Sequence, residues 1–128
     1  MAVTGRRVLV VDDNVDAAQS LADLLEATGH LVRMAHDGPA ALDAVQDFRA
    51  DLVLLDIGLP GLTGLEVAKR IRQLPAHKNI VLAAMTGYGQ EKDREHSRQA
   101  GFDYHLVKPT DFGELEKILE TLPQPRAL

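Results

Sequence analysis

Short, uniformly apolar runs alternate along the chain with longer stretches whose apolar residues recur at helical spacing. Val8–Val11 is a continuous valine and leucine run, too short for a helix and too uniform for a half-exposed strand. Such a run suits a parallel strand covered on both faces. Asn14 is a good N-cap, after which Ala18, Leu21, Leu24 and Leu25 recur at helical spacing until Gly29 supplies a stop. The unit repeats. Leu31–His36 alternates more, as an edge strand does, and Gly38-Pro39 opens a helix with Ala41, Val45 and Phe48 on one face. Leu52–Leu55 is the most apolar run and ends at Asp56; a loop follows, then a helix with Leu65, Ala68 and Ile71 inward, closed by Pro75.

Ile80–Met85 is a fourth strand ending at Thr86. Residues 90–99 have helical composition but almost no apolar stripe, which predicts a loosely held helix. Phe102–Val107 is a fifth strand ending at Lys108-Pro109. Asp111 then caps a last helix, with Glu114 completing a capping box and Leu115, Ile118, Leu119 and Leu122 facing inward. Repeated strand–helix units imply an α/β fold with a parallel sheet and helices on both faces. Right-handed crossovers leave few topologies, of which the flavodoxin-like (βα)5 three-layer sandwich, with a five-stranded sheet of order 2-1-3-4-5, is expected here. The core spans about residues 6–122 of a single domain covering 1–128, with 123–128 as a frayed tail.

With 128 residues there is room for one domain of ordinary size, and 45% hydrophobic against 26% charged residues excludes a disordered chain. No cysteine is present, so neither a disulfide framework nor a thiolate metal site is available, which fits a reducing cytoplasm. No apolar run approaches the ~18 residues of a membrane span, so membrane insertion is not expected. The net charge of −5, from 19 acids and 14 bases, is opposite to that of a general nucleic-acid binder. The short basic stretches, Arg6-Arg7 and Lys69–Arg72, read as solvated termini and faces.

Ligand sites in open α/β sheets lie beyond the carboxyl ends of the strands. Those ends carry Asp12-Asp13, Asp56, Thr86 and Lys108 on four strands that the expected order makes neighbours. Any one of them alone reads as a cap or a solvated terminus. Together they form a constellation. Three converging carboxylates disfavour one another's charged forms unless a cation joins them. Hard oxygen ligands with room for water and phosphate suit Mg²⁺. Lys108 adds a point charge for a phosphate oxygen, and Thr86 adds a hydroxyl donor.

These residues sit in four segments: Val10-Val11-Asp12-Asp13-Asn14, the run from Asp56 to Gly64, Met85-Thr86-Gly87, and Leu106-Val107-Lys108-Pro109. In them the sequence resembles a response-regulator receiver domain of two-component signalling, over essentially the whole stretch from Arg7 to about Leu122. The resemblance implies that Asp56 is the phosphoacceptor. It implies Mg²⁺ held by Asp13, Asp56 and the Gly58 backbone carbonyl, with Asp12 acting through water. Thr86 would turn toward an arriving phosphoryl group and Lys108 would hold one of its oxygens. The Lys108–Pro109 bond is expected to be cis. The donor would be a sensor histidine kinase or a histidine phosphotransfer protein. The output would be a downstream protein bound at the face of the fourth helix, fifth strand and fifth helix. Such a domain is a signalling phosphoacceptor, catalysing only its own phosphorylation and dephosphorylation.

One position departs from the pattern. The family commonly carries Tyr or Phe three residues before the strand-five lysine, where this chain has His105, while Tyr104 points to the opposite side by strand alternation. A titratable ring at this switch position opens a route to pH sensitivity. The remaining histidines (30, 36, 77 and 96) are scattered and read as partly exposed polar residues. Gly58 and Tyr88 occupy family positions that tune hydrolysis of the phosphoryl group. Two other functions are compatible with parts of the pattern. A Mg²⁺-dependent aspartyl-phosphate hydrolase usually has a second aspartate two residues after the nucleophile, where Gly58 stands. A receiver-like interaction module without phosphorylation would lack an Asp, Thr or Lys that is present here. Free-standing regulator and fragment of a hybrid kinase are both compatible with the sequence.

Overall fold

The computed structural model describes residues 5–77, 79–87 and 94–122. Five strands, β1 (Arg7–Val11), β2 (Leu31–Ala35), β3 (Leu52–Asp56), β4 (Val81–Thr86) and β5 (Tyr104–Val107), form one parallel sheet of order β2-β1-β3-β4-β5. The helices are α1 (Val15–Ala27), α2 (Gly38–Phe48), α3 (Gly64–Arg72), α4 (Arg94–Ala100) and α5 (Phe112–Thr121). This is the flavodoxin-like order expected from the alternating pattern.

Successive strand residues point to opposite faces of a sheet, and the inner strands follow that parity. Val8, Val10, Leu52, Leu54, Ala83 and Met85 pack with Ala18 and Leu25 of α1 and Leu115, Ile118 and Leu119 of α5. Leu9, Val11, Val53, Leu55, Leu82 and Ala84 pack on the other face with Ala41 and Val45 of α2, Val67, Ala68 and Ile71 of α3, and Ala100 of α4. β3 is buried along its whole length, whereas edge strand β2 buries only Ala35 completely. The uniform and alternating runs in the sequence have this difference as their cause.

Several local expectations are corrected. Leu24 is 51% exposed, and α1 seats Ala18, Ala22 and Leu25 instead. Asp111 caps α5 through the Gly113 N–H, while the reciprocal capping box belongs to Thr63 and Glu66 at the start of α3. Arg6, expected in solvent, is buried: its amide donates to His30 Nδ1 at 3.0 Å and its Nη2 to the Leu122 carbonyl at 3.4 Å. Arg72 is likewise half-buried rather than solvated. Of the helix expected over residues 90–99, the part from Arg94 onward is seen as α4, and residues 90–93 lie outside the described residues, as do Tyr88 and the tail 123–128.

Candidate functional site

The carboxyl ends of β1, β3, β4 and β5 meet at one rim. Asp12 follows β1 directly, with its amide bonded to the Ala35 carbonyl of β2. Asp56 is the last residue of β3, and the next amide, of Ile57, is tied to the Met85 carbonyl of β4. Thr86 ends β4, and its carbonyl accepts the Lys108 amide at 2.7 Å, which fixes where the lysine leaves β5. The Lys108–Pro109 peptide is cis, as the resemblance implied.

Asp12 and Asp56 are buried and Asp13 is exposed, yet the three offer carboxylate oxygens within 4.8 Å of one another. Lys108 Nζ donates to Asp12 Oδ2 and to Asp56 Oδ2, each at 2.9 Å. The second Asp56 oxygen accepts the Gly58 amide at 2.8 Å, and Asp12 Oδ1 accepts the Asn14 amide at 3.0 Å. Among the described residues, one ammonium is bonded to two of the three carboxylates, which leaves the rim short of positive charge. An all-oxygen set of this kind is able to hold a hard divalent metal ion.

Lys108 shows the same balance from its own side. Partial burial pulls its pKa down, but the hydrogen bonds to Asp12 and Asp56 and their negative charges outweigh it and leave the ammonium above its ordinary range. Thr86 is fully buried, but its hydroxyl faces β5: Oγ1 lies 3.2 Å from His105 Nε2 and 3.4 Å from the Leu106 carbonyl. His105 and Tyr104 point to opposite sides, as strand alternation requires; the Tyr104 hydroxyl meets Thr121 of α5 at 3.1 Å. Thus Asp12, Asp13 and Asp56 gather at one rim with Lys108 bonded to Asp12 and Asp56, while the Thr86 hydroxyl is engaged one strand away. His36 is a neighbour the sequence did not single out: its Nδ1 donates to the Asp12 carbonyl at 3.0 Å. Its only signal was its position just beyond β2.

A parallel five-stranded α/β domain with an acidic rim at its strand ends and a lysine across it defines a signalling receiver. The chain belongs to the response regulator receiver domain family, which matches residues 8–120. It is 32% identical over 117 residues to the polar-differentiation response regulator DivK of Brucella anthropi, covering 91% of this chain and 93% of that one. Among solved structures it is similar to the Vibrio cholerae chemotaxis protein CheY4, with 28% identity and a TM-score of 0.85 over 94% of this chain and 100% of that one. A putative response regulator from Chloroflexus aurantiacus is similar too, with 30% identity and a TM-score of 0.85 over 91% and 96% of the two chains. The protein is therefore a receiver domain of two-component signalling. Among the described residues no helix is long and apolar enough to cross a membrane.

Proposed function

We propose that Asp56 accepts a phosphoryl group from a partner's phosphohistidine in a Mg²⁺-dependent reaction, and that the product changes the chain's protein contacts. The observation that carries this is the meeting of three carboxylates within 4.8 Å with Lys108 at 2.9 Å from two of them. An Asp56 carboxylate oxygen attacks phosphorus as the N–P bond breaks, and the electron pair returns to the departing imidazole, giving an acyl phosphate. Proteins promote this transfer chiefly by positioning and by neutralising charge. The Gly58 amide and Lys108 orient the Asp56 carboxyl group. Lys108 then exchanges a carboxylate oxygen for a phosphoryl oxygen.

Asp13, Asp56 and the Gly58 carbonyl would hold Mg²⁺, with Asp12 acting through water. The ion supplies compact positive charge where the rim is short of it. Thr86 donates its hydroxyl once the phosphoryl group is in place. The donor is a sensor histidine kinase or a histidine phosphotransfer protein in the cytoplasm. The output surface is the face of α4, β5 and α5. On this reading the chain acts on itself alone and is not an enzyme toward other substrates.

Labelling with acetyl phosphate, followed by intact mass, tests the proposal. A mass gain that requires Mg²⁺ and disappears in Asp56→Asn is expected. A gain that survives Asp56→Asn, or no gain at all, would overturn it, and rapid turnover of many phosphate esters would favour a hydrolase instead.

A further inference from the structure

β4 lies between β3, which carries Asp56, and β5, which carries His105. Thr86 ends β4, and both polar atoms its hydroxyl meets, His105 Nε2 at 3.2 Å and the Leu106 carbonyl at 3.4 Å, belong to β5. The second is at the long limit of a hydrogen bond, so the imidazole is the closer partner. In this state the hydroxyl is engaged on the β5 side of β4. Resting on the phosphoacceptor reading above, we propose that His105 is a positioning residue that latches the Thr86 hydroxyl on the β5 side. The latch must open before Thr86 serves a phosphoryl oxygen. A phenylalanine here would fill the space without a polar atom, so the latch depends on this residue being histidine.

The latch also has a sign in pH. An imidazolium donates from both nitrogens, and a charge-assisted hydrogen bond is roughly twice as strong as a neutral one. Protonation of His105 therefore tightens the hold on Thr86 and opposes switching. Among the described residues, the charged groups that line a cavity with His105 are Arg98 of α4 and Asp103, whose carboxylate is held by Arg72 and the Leu82 amide, while the Tyr104 side chain points to the other side of β5. On β4 its register partner is Ala84, which is uncharged. A phosphoryl dianion on Asp56 attracts the imidazolium and so acts in the opposite sense. That attraction persists when Thr86 is truncated, whereas the latch does not. Truncation of Thr86 therefore separates the two effects.

The test is a double-mutant cycle over His105→Phe and Thr86→Ala, read as affinity for beryllofluoride in the presence of Mg²⁺ by calorimetry. A net hydrogen bond released on switching predicts that His105→Phe binds about twofold to tenfold more tightly than wild type. The gain should vanish in the Thr86→Ala background. It should also widen as the pH is lowered and the imidazole takes up a proton. His105→Gln keeps a hydrogen-bonding group but cannot titrate, so it should match wild type at about pH 8 and lack the acid weakening. That variant carries the test if the phenylalanine variant fails to fold. Equal or weaker binding by His105→Phe, an undiminished effect without Thr86, or an acid response in His105→Gln equal to that of wild type would overturn the latch. Absence of beryllofluoride binding in the wild type, together with no acetyl phosphate labelling, would instead overturn the phosphoacceptor reading, and the latch with it.

Discussion

Gly64 shows how closely the site is built at the level of single atoms. It opens α3 behind the Thr63 cap, and a β-carbon there would be driven into the Asp56 carbonyl and to 2.6 Å from the Ile57 Cα. Those are backbone atoms, which have no rotamer in which to escape. Gly64→Ala should therefore destabilise the fold by about 1–3 kcal/mol, the usual range for forced overpacking. Because the displaced carbonyl belongs to the phosphoacceptor itself, labelling should fall in the same variant. Urea denaturation and acetyl phosphate labelling check the two effects. Unchanged stability would mean that the backbone yields more than this packing allows. His30 makes a second prediction. Burial and then the Arg6 charge lower its pKa, with Glu116 opposing, and its Nδ1 accepts the Arg6 amide, a bond that a proton on Nδ1 breaks. The unfolded chain therefore takes up this proton first, so stability falls as the pH drops below the ordinary histidine value of 6.5 and levels off at the lower folded value. His30→Gln, which can still accept from Arg6, should lose that part of the acid decline in a Tm-against-pH comparison, and an identical decline would refute it.

Between elements, Arg72 does what no periodicity announced. From the last turn of α3 its Nε and Nη2 donate to the Gly101 carbonyl at 2.9 and 2.6 Å, and Nη2 also reaches Asp103 Oδ2 at 2.8 Å. The same Asp103 oxygen accepts the Leu82 amide at 3.0 Å, so one guanidinium ties α3, β4 and the turn between α4 and β5. Gly101 takes a φ of +108°, a conformation glycine adopts without strain, and its bare Cα leaves space for the arginine stem. Arg72→Ala should cost about 1–3 kcal/mol, since it strands polar groups that the fold has already withdrawn from water. It should also speed hydrogen exchange in α4 more than in α1, and equal acceleration in both helices would argue against a local tie. From the sequence Lys69–Arg72 read as a solvated face, because side-chain destination within a charged run depends on which neighbours the turn brings near. The Thr63–Glu66 capping box was present as a Thr-x-x-Glu signal, but glycine and leucine between them gave no apolar run to confirm it. Leu24 failed for a geometric reason. It is about 100° around the helix from Leu25, and only one of the two can face the sheet squarely.

Across the whole molecule, what was legible is what the sheet's two-sided burial dictates. Val8–Val11 of β1 and Leu52–Leu55 of β3 had to be uniformly apolar, the edge strand β2 did not, and acids at the ends of adjacent strands had to meet once the order was set. The engagement of Thr86 by His105 and the burial of Arg6 were not legible, because each depends on contacts across elements that no local pattern encodes. The acidic rim also links the site to global stability. Asp12, Asp13 and Asp56 repel one another, with Lys108 as their close ammonium partner, and a divalent cation bound only by the folded chain stabilises it by mass action. At a hundredfold excess over its Kd, Mg²⁺ should add about 2.7 kcal/mol, a rise of several degrees in Tm for a domain of this size. Asp13→Asn removes one charge from the rim and one proposed ligand. The variant should therefore melt higher than wild type without Mg²⁺ and respond less when Mg²⁺ is added. The two effects have opposite signs, so the Tm curves of the two proteins should cross as Mg²⁺ is titrated. Parallel curves would mean that the ion, if it binds, is held without Asp13.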